Sequence, residues 1–225
     1  MNKQSMGQRL ADYASMFNVP FEYQAISSKW ETICIEDLNI AEDDVLIVNC
    51  IHRMKNLGDE TVSINSARNR VLNTIRMMKP KVFVHGIENG SYGTPFFLTR
   101  FKEVMYHYSA LFDICDKTVP RDNETRMFIE RDIFQCQLLN VIACEGFERI
   151  ERPENYKKWK SRILNAGLEQ LPLNPDIVKV IRDMVGKYHK DYVINEDDQW
   201  LQLGWKGRIL NAISTWKPSE LYVGD

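Results

Sequence analysis

Long apolar runs are missing from this sequence. No stretch of it approaches the ~20 apolar residues that a membrane-spanning helix needs. The N-terminal segment MNKQSMGQRLADY is polar and has no apolar core of signal-peptide length, so a soluble, intracellular chain is expected. An excess of charge is missing too: the formal net charge is −2 over 225 residues. Binding to nucleic acid by bulk electrostatics therefore needs a local basic patch, because phosphate neutralisation dominates that affinity. The densest basic cluster is Lys157, Lys158, Lys160 and Arg162, interleaved with Tyr156 and Trp159, and a solvated helix face explains it more simply than a contact surface. The five cysteines include no C-x-x-C pair, and most stand among apolar residues. Reduced, buried thiols of a cytosolic or nuclear protein are expected.

Signals of catalysis are also scarce. The four histidines, His52, His85, His107 and His189, include no i, i+4 pair and no metal-ligand spacing. There is no G-x-S-x-G elbow. The loop glycines Gly86, Gly90 and Gly93 do not follow the G-x-G-x-x-G spacing of a dinucleotide site. Asp43-Asp44 and Asp197-Asp198 lie in turn-like stretches, where solvation explains paired acids. No catalytic residue, cofactor site or metal site is assigned.

What is present is a soluble α/β pattern, with 44% hydrophobic and 27% charged residues. Its centre is the stretch from Lys79 to Asp116. Val82 to Ile87 reads as a strand buried on both faces. Thr94-Pro95 then reads as a helix start. Phe97, Phe101, Val104, Tyr108 and Leu111 follow at helical spacing, widened by Met105 and Phe112, which predicts a long helix with one buried apolar face. Before it, Leu10 to Phe17 reads as a helix, Phe21 to Ala25 as a strand, Val45 to Val48 as a buried strand and Val71 to Met78 as a helix. After it come a helix from Arg126 to Cys144, one opened by Pro153, and one opened by Asn174-Pro175-Asp176 with a buried face of Ile177, Val180, Ile181 and Met184. Tyr192 to Asn195, Trp200 to Trp205 and Arg208 to Trp216 read as antiparallel strands closing one edge of the sheet. Trp159, Trp200, Trp205 and Trp216 read as core aromatics, with an interface cluster as the rival.

These residues resemble the C-terminal part of the GRAS domain, the family of scarecrow-like plant regulators. Pro95, Phe96-Phe97, Arg100 and Glu103 look like its PFYRE region, with phenylalanine for tyrosine, continuing into the family-like string HYSALFD at His107 to Asp113. Arg149-Ile-Glu151-Arg152 is similar to its arginine-glutamate-arginine signature. Trp159 and Gly167 match its W-x7-G, while Leu203-Gly-Trp205 and Trp216 match its SAW region, with threonine in place of the namesake alanine.

The resemblance implies a Rossmann-like, methyltransferase-type α/β sheet, incomplete at its N-terminal side because the family's first leucine-rich helices and VHIID strand are expected to precede this chain. It divides the chain into a second leucine-rich region (1–75), a PFYRE-like region (79–152) and a SAW-like region (153–218) of one partial domain. It implies a nuclear transcription regulator that is not an enzyme. Its implied partners are other GRAS proteins and zinc-finger or other DNA-binding factors, with DNA itself a further implied partner. The motif residues are expected to be structural or to form an interaction surface. On the helix, Arg100 and Glu103 are close enough to pair. The rival reading is an S-adenosylmethionine-dependent methyltransferase, motivated by the strand–helix order.

Overall fold

The computed structural model of the chain describes residues 3–61, 66–94 and 96–220. These fall into two compact units, Met1–Asn39 and Ile40–Asp225. The first unit holds α1 (Lys3–Ser15) and two short 3-10 turns. Phe21 to Ala25 is not a strand here. Alternation alone makes no strand without a hydrogen-bonded neighbour, and instead Phe21 and Tyr23 stack with ring centroids 6.5 Å apart.

The second unit runs β1 (Ile47–Ile51), α2 (Ala67–Met77), β2 (Val82–Glu88), α3 (Phe97–Thr118), α4 (Glu124–Phe128), α5 (Gln135–Ala143), α6 (Tyr156–Asn165), β3 (Leu168–Gln170), α7 (Pro175–Val185), β4 (Tyr192–Asp197), β5 (Trp200–Trp205) and β6 (Arg208–Pro218). Local chemistry sets several of these ends. Ser66 caps α2 by accepting from the Asn69 amide, and Asn174 caps α7 ahead of Pro175. Gly167, at φ +80°, lets the chain turn out of α6 into β3 in a conformation that other residues rarely adopt. The α3 start differs from expectation. Its N-cap is Phe96, which offers no capping side chain, Thr94 instead donates to the Ser91 carbonyl, and Pro95 lies outside the described residues. The expected helix from Arg126 to Cys144 is α4 and α5 joined by a π-helical stretch at Ile129–Phe134.

The sheet order is β1-β2-β6-β5-β4, with β3 pairing with the end of β6 on the edge away from β2. β1 and β2 are parallel, as a strand–helix–strand unit requires, and the other pairings are antiparallel. The C-terminal strands therefore do more than close an edge, because β6 lies at the sheet's centre and only β4 is outermost. At the other edge, β1 starts later than expected and is not buried on both faces, with Val45, Ile47 and Ile51 exposed.

Alternation along the strands builds a core on each face. On one side, Phe83 and His85 of β2 meet α6 and the C-terminal strands: the His85 ring lies 4.8 Å from Trp159, and Trp200 lies 6.1 Å from Trp216. On the other, Tyr92, Val104, Tyr108 and Val141 form a buried cluster joined by Leu111, Phe134, Leu138 and Ile142. All four of Trp159, Trp200, Trp205 and Trp216 are buried, which decides for the core reading. Of the five thiols only Cys50 and Cys115 are buried, while Cys34 and Cys136 are exposed, so the expectation of mostly buried cysteines does not hold.

Gly204 shows how tightly the hairpin is packed. A β-carbon there would stand 2.6 Å from the Arg208 carbonyl oxygen and 2.8 Å from Val193 Cγ2, at the point where the β5–β6 register shifts. Gly204→Ala is expected to cost about 1–3 kcal/mol, the range for overpacking. Urea unfolding measures it, and an unchanged midpoint would show that the bulge yields freely.

Candidate functional site

The signature residues converge on the interior, and most of their partners are far away in sequence. Arg100 is fully buried. Its Nε donates to the Val141 carbonyl at 3.1 Å, one Nη to the Thr94 carbonyl at 3.3 Å, and the other pairs with Glu145. Glu103 turns away to Arg208, 3.2 Å distant on β6. The expected Arg100–Glu103 pair is therefore not made, because each side chain finds a partner across the fold. Arg100 and Glu103 tie α3 to α5 and to the sheet respectively.

Arg152 is the hub of the second signature. Its Nη1 is 2.9 Å from Asp59 Oδ1 and 2.9 Å from Thr61 Oγ1, Nε donates to the Arg149 carbonyl at 2.8 Å, and Nη2 donates to the Gly146 carbonyl. Arg68 of α2 donates to the Arg152 carbonyl, pairs with Glu154 at 2.9 Å and lies 5.0 Å from the centre of the Trp159 ring. Burial disfavours a lone charge strongly, so such a network is stable only when nearly every donor is met. The remaining signature arginine, Arg149, is an exception: it is buried with Glu145 3.6 Å away, and its Nε and Nη1 make no hydrogen bond among the described residues. Glu151 binds Lys55 at 2.9 Å, and Lys55 also binds Glu88 at 2.9 Å. This last cluster stands at the carboxyl ends of β1 and β2.

The SAW residues are equally internal. The Trp205 indole donates to Asp113 of α3 at 2.7 Å, joining the family-like string to β5. Leu203, half-buried, precedes it at the bulge. The Trp216 indole donates to Ser214 at 2.8 Å. The basic cluster is largely engaged: Arg162 pairs with Glu60 and Glu154 and lies over the Trp159 ring at 5.6 Å, and Lys160 pairs with Asp198. Of the histidines, His85 is fully buried between aromatic rings, and burial holds its imidazole neutral, with a pKa down to about 3. That is a packing role.

What remains at the surface is apolar. The buried arc of α3 is Arg100, Val104, His107, Tyr108 and Cys115. The expected core residues Phe97, Phe101 and Met105 are exposed at 48%, 36% and 42%. With Phe96, Leu98 and Phe112 they make a phenylalanine and methionine stripe beside the buried one. The helix is apolar over a wider arc than the sheet and α5 can cover. On α7 the same correction holds. Val178 is buried and Ile181 half-buried, whereas Ile177, Val180 and Met184 are exposed. Arg182 anchors α7 to β4 through the Ile194 carbonyl at 2.9 Å and Glu196 at 2.7 Å, which turns the Ile177 arc outward. Sequence reasoning placed these residues in the core because periodicity marks an apolar arc and not its cover.

Comparison with known proteins completes the picture. Residues 2–217 match the GRAS domain family. Scarecrow-like protein 9 of Arabidopsis thaliana is 52% identical over 215 residues, covering 95% of this chain and 30% of the relative. Scarecrow-like protein 34 of Arabidopsis thaliana is 52% identical over 217 residues, covering 95% of this chain and 34% of the relative. The chain thus spans about a third of the length of the curated relatives it matches. The crystal structure of SCL7 in Oryza sativa matches with a TM-score of 0.84 at 24% identity, over 95% of this chain and 59% of that chain. That likeness supports the Rossmann-like, methyltransferase-type α/β fold.

Proposed function

The chain belongs to the GRAS domain family, and from that premise we propose that it is a transcription regulator working in the nucleus through association with other proteins. The partners are other GRAS proteins or, through them, zinc-finger and other DNA-binding factors. The observation that carries this reading is the exposed stripe of Phe97, Phe101 and Met105 on α3. Exposed apolar patches mark interaction sites, and residues at i, i+4 and i+8 offer an amphipathic helix of a partner a row of anchors. We place another GRAS protein on it. Nucleic acid fits this stripe poorly, because phosphate needs cations. The chain's net charge is −2, and Lys160 and Arg162 already hold carboxylates. In this reading DNA is reached through the partner.

Binding of the chain to a full-length Scarecrow-like protein, measured by biolayer interferometry, tests the reading. A Phe97→Ser, Phe101→Ser variant is expected to bind about tenfold or more weakly, the loss of two anchor residues. The variant should remain folded with a cooperative transition, losing about 1–2 kcal/mol because both rings are only partly exposed and stack on each other 5.7 Å apart. Equal binding by variant and parent would move the partner elsewhere. The enzyme reading makes a separate claim: saturable heat on titration with S-adenosylmethionine would support it, and we expect none.

A further inference from the structure

Below the carboxyl ends of β1 and β2 lies a cleft of about 770 Å³, a volume that suits a small molecule. In α/β sheets that end of the strands is where ligands sit. His52, just after β1, and Glu88, the last residue of β2, both line it. One wall is apolar, made by Leu111, Ile133, Phe134 and Ile150. The floor is polar and its charges are matched within the protein. Lys55 Nζ stands 2.9 Å from Glu88 Oε2 and 2.9 Å from Glu151 Oε2, and Asn56 donates to Glu151 Oε1 at 3.1 Å. With the exposed Arg53 also lining the cleft, its two cations and two carboxylates sum to no formal charge, which favours an uncharged ligand.

Two atoms of the floor are left without a hydrogen bond to each other. His107 Nε2 and Glu88 Oε1 are 3.6 Å apart, beyond hydrogen-bond length, although both side chains are more than nine-tenths buried. Burial keeps the His107 imidazole neutral, with a pKa down to about 4. Nδ1 of the ring is buried and has no partner among the described residues. The proton therefore belongs on Nε2, where a carboxylate faces it. The floor thus presents one N–H donor and one carboxylate acceptor side by side. A single hydroxyl group satisfies both, accepting from Nε2–H and donating to Oε1.

We propose that this cleft binds an uncharged small organic molecule whose hydroxyl bridges His107 Nε2 and Glu88 Oε1 and whose apolar body lies against Leu111, Ile133, Phe134 and Ile150. The site would make the regulator responsive to a metabolite, because α3 carries both His107 on its inner arc and the exposed stripe on its outer one.

Four ring probes of one shape decide it, each titrated into the isotope-labelled 225-residue chain while the His107 ring and the nearby amides are followed by NMR. Cyclohexanol can accept and donate. Cyclohexanone can only accept, cyclohexylammonium can only donate and is charged, and cyclohexanecarboxylate can only accept and is charged. Cyclohexanol is expected to give saturable shifts at His107 and to bind about fivefold more tightly than cyclohexanone, the worth of one hydrogen bond. His107→Phe, which keeps an aromatic ring but has no ring nitrogen, should remove that preference. Tightest binding by the ammonium would make the cleft a cation site, and tightest binding by the carboxylate an anion site on Lys55. Either result overturns the proposal, as do equal binding of alcohol and ketone and the absence of saturable shifts. Should His107→Phe fail to fold, the order of the four probes on the parent chain still decides.

Discussion

Trp216→Ala is expected to destabilise the chain by about 3–5 kcal/mol, the range for emptying a buried aromatic site. Trp216 is fully buried at the point where three strands meet. It is opposite Phe83 of β2 on one side and Gln170 of β3 on the other, with Trp200 of β5 6.1 Å away. No single neighbour can move in to fill the space, because each is held by its own strand pairing. Truncation also strands Ser214, which is buried and accepts from the indole at 2.8 Å. Trp216→Phe should cost less, keeping most of the volume while losing that bond. Ile177→Ala on the exposed arc of α7 serves as the control, with an expected change within about 0.5 kcal/mol. Urea unfolding followed by far-UV circular dichroism measures all three. A loss under about 1 kcal/mol for Trp216→Ala would mean that the centre of the sheet can collapse, against the packing described.

The second large effect is at Arg152. Arg152→Ala is expected to cost about 3–5 kcal/mol, the price of breaking a buried ion pair by removing one partner. Asp59, equally buried, would be left with its carboxylate facing Thr61 and little else, and the Arg149 and Gly146 carbonyls would lose their donor. The companion variant Arg152→Met, Asp59→Leu removes both charges together and should recover about half or more of the loss, since an apolar pair of similar volume carries no desolvation penalty. Should the double variant be as unstable as the single one, the carbonyl contacts rather than the Asp59 pair hold this region. Should Arg152→Ala be nearly neutral, water reaches the site and the network is not the interior frame described above.

Both effects fall on residues singled out from sequence, and their placement explains why. Trp159, Trp205, Trp216, Arg100 and Arg152 each join elements distant in the chain. What was legible was local: the apolar run of β2, the capping of α7 by Asn174 and Pro175, and the bounds of β5 and the start of β6. What was not legible depended on contacts across the fold. Arg100 sits three residues from Glu103, yet pairs with Glu145, while Glu103 pairs with Arg208, and no local spacing announces either choice. Apolar residues on α3 and α7 were legible as apolar but not as exposed, since a helix pattern is silent about how wide its cover is. The π-helical stretch at Ile129–Phe134 shifts the phase between α4 and α5, which a single helical period cannot register. The cleft was missed because its floor combines Lys55, Glu88, His107 and Glu151 from four separate segments.

In the function proposed above, the signature residues build the interior and partners meet the outer arc of α3. Amide hydrogen exchange of the 225-residue chain, alone and with a full-length Scarecrow-like protein, tests it most directly. New protection on binding is expected to centre on Phe96 to Tyr106, with β5 and β6 unchanged because they are slow to exchange in both states. Protection confined to β5 and β6, with the α3 segment exchanging as before, would contradict it.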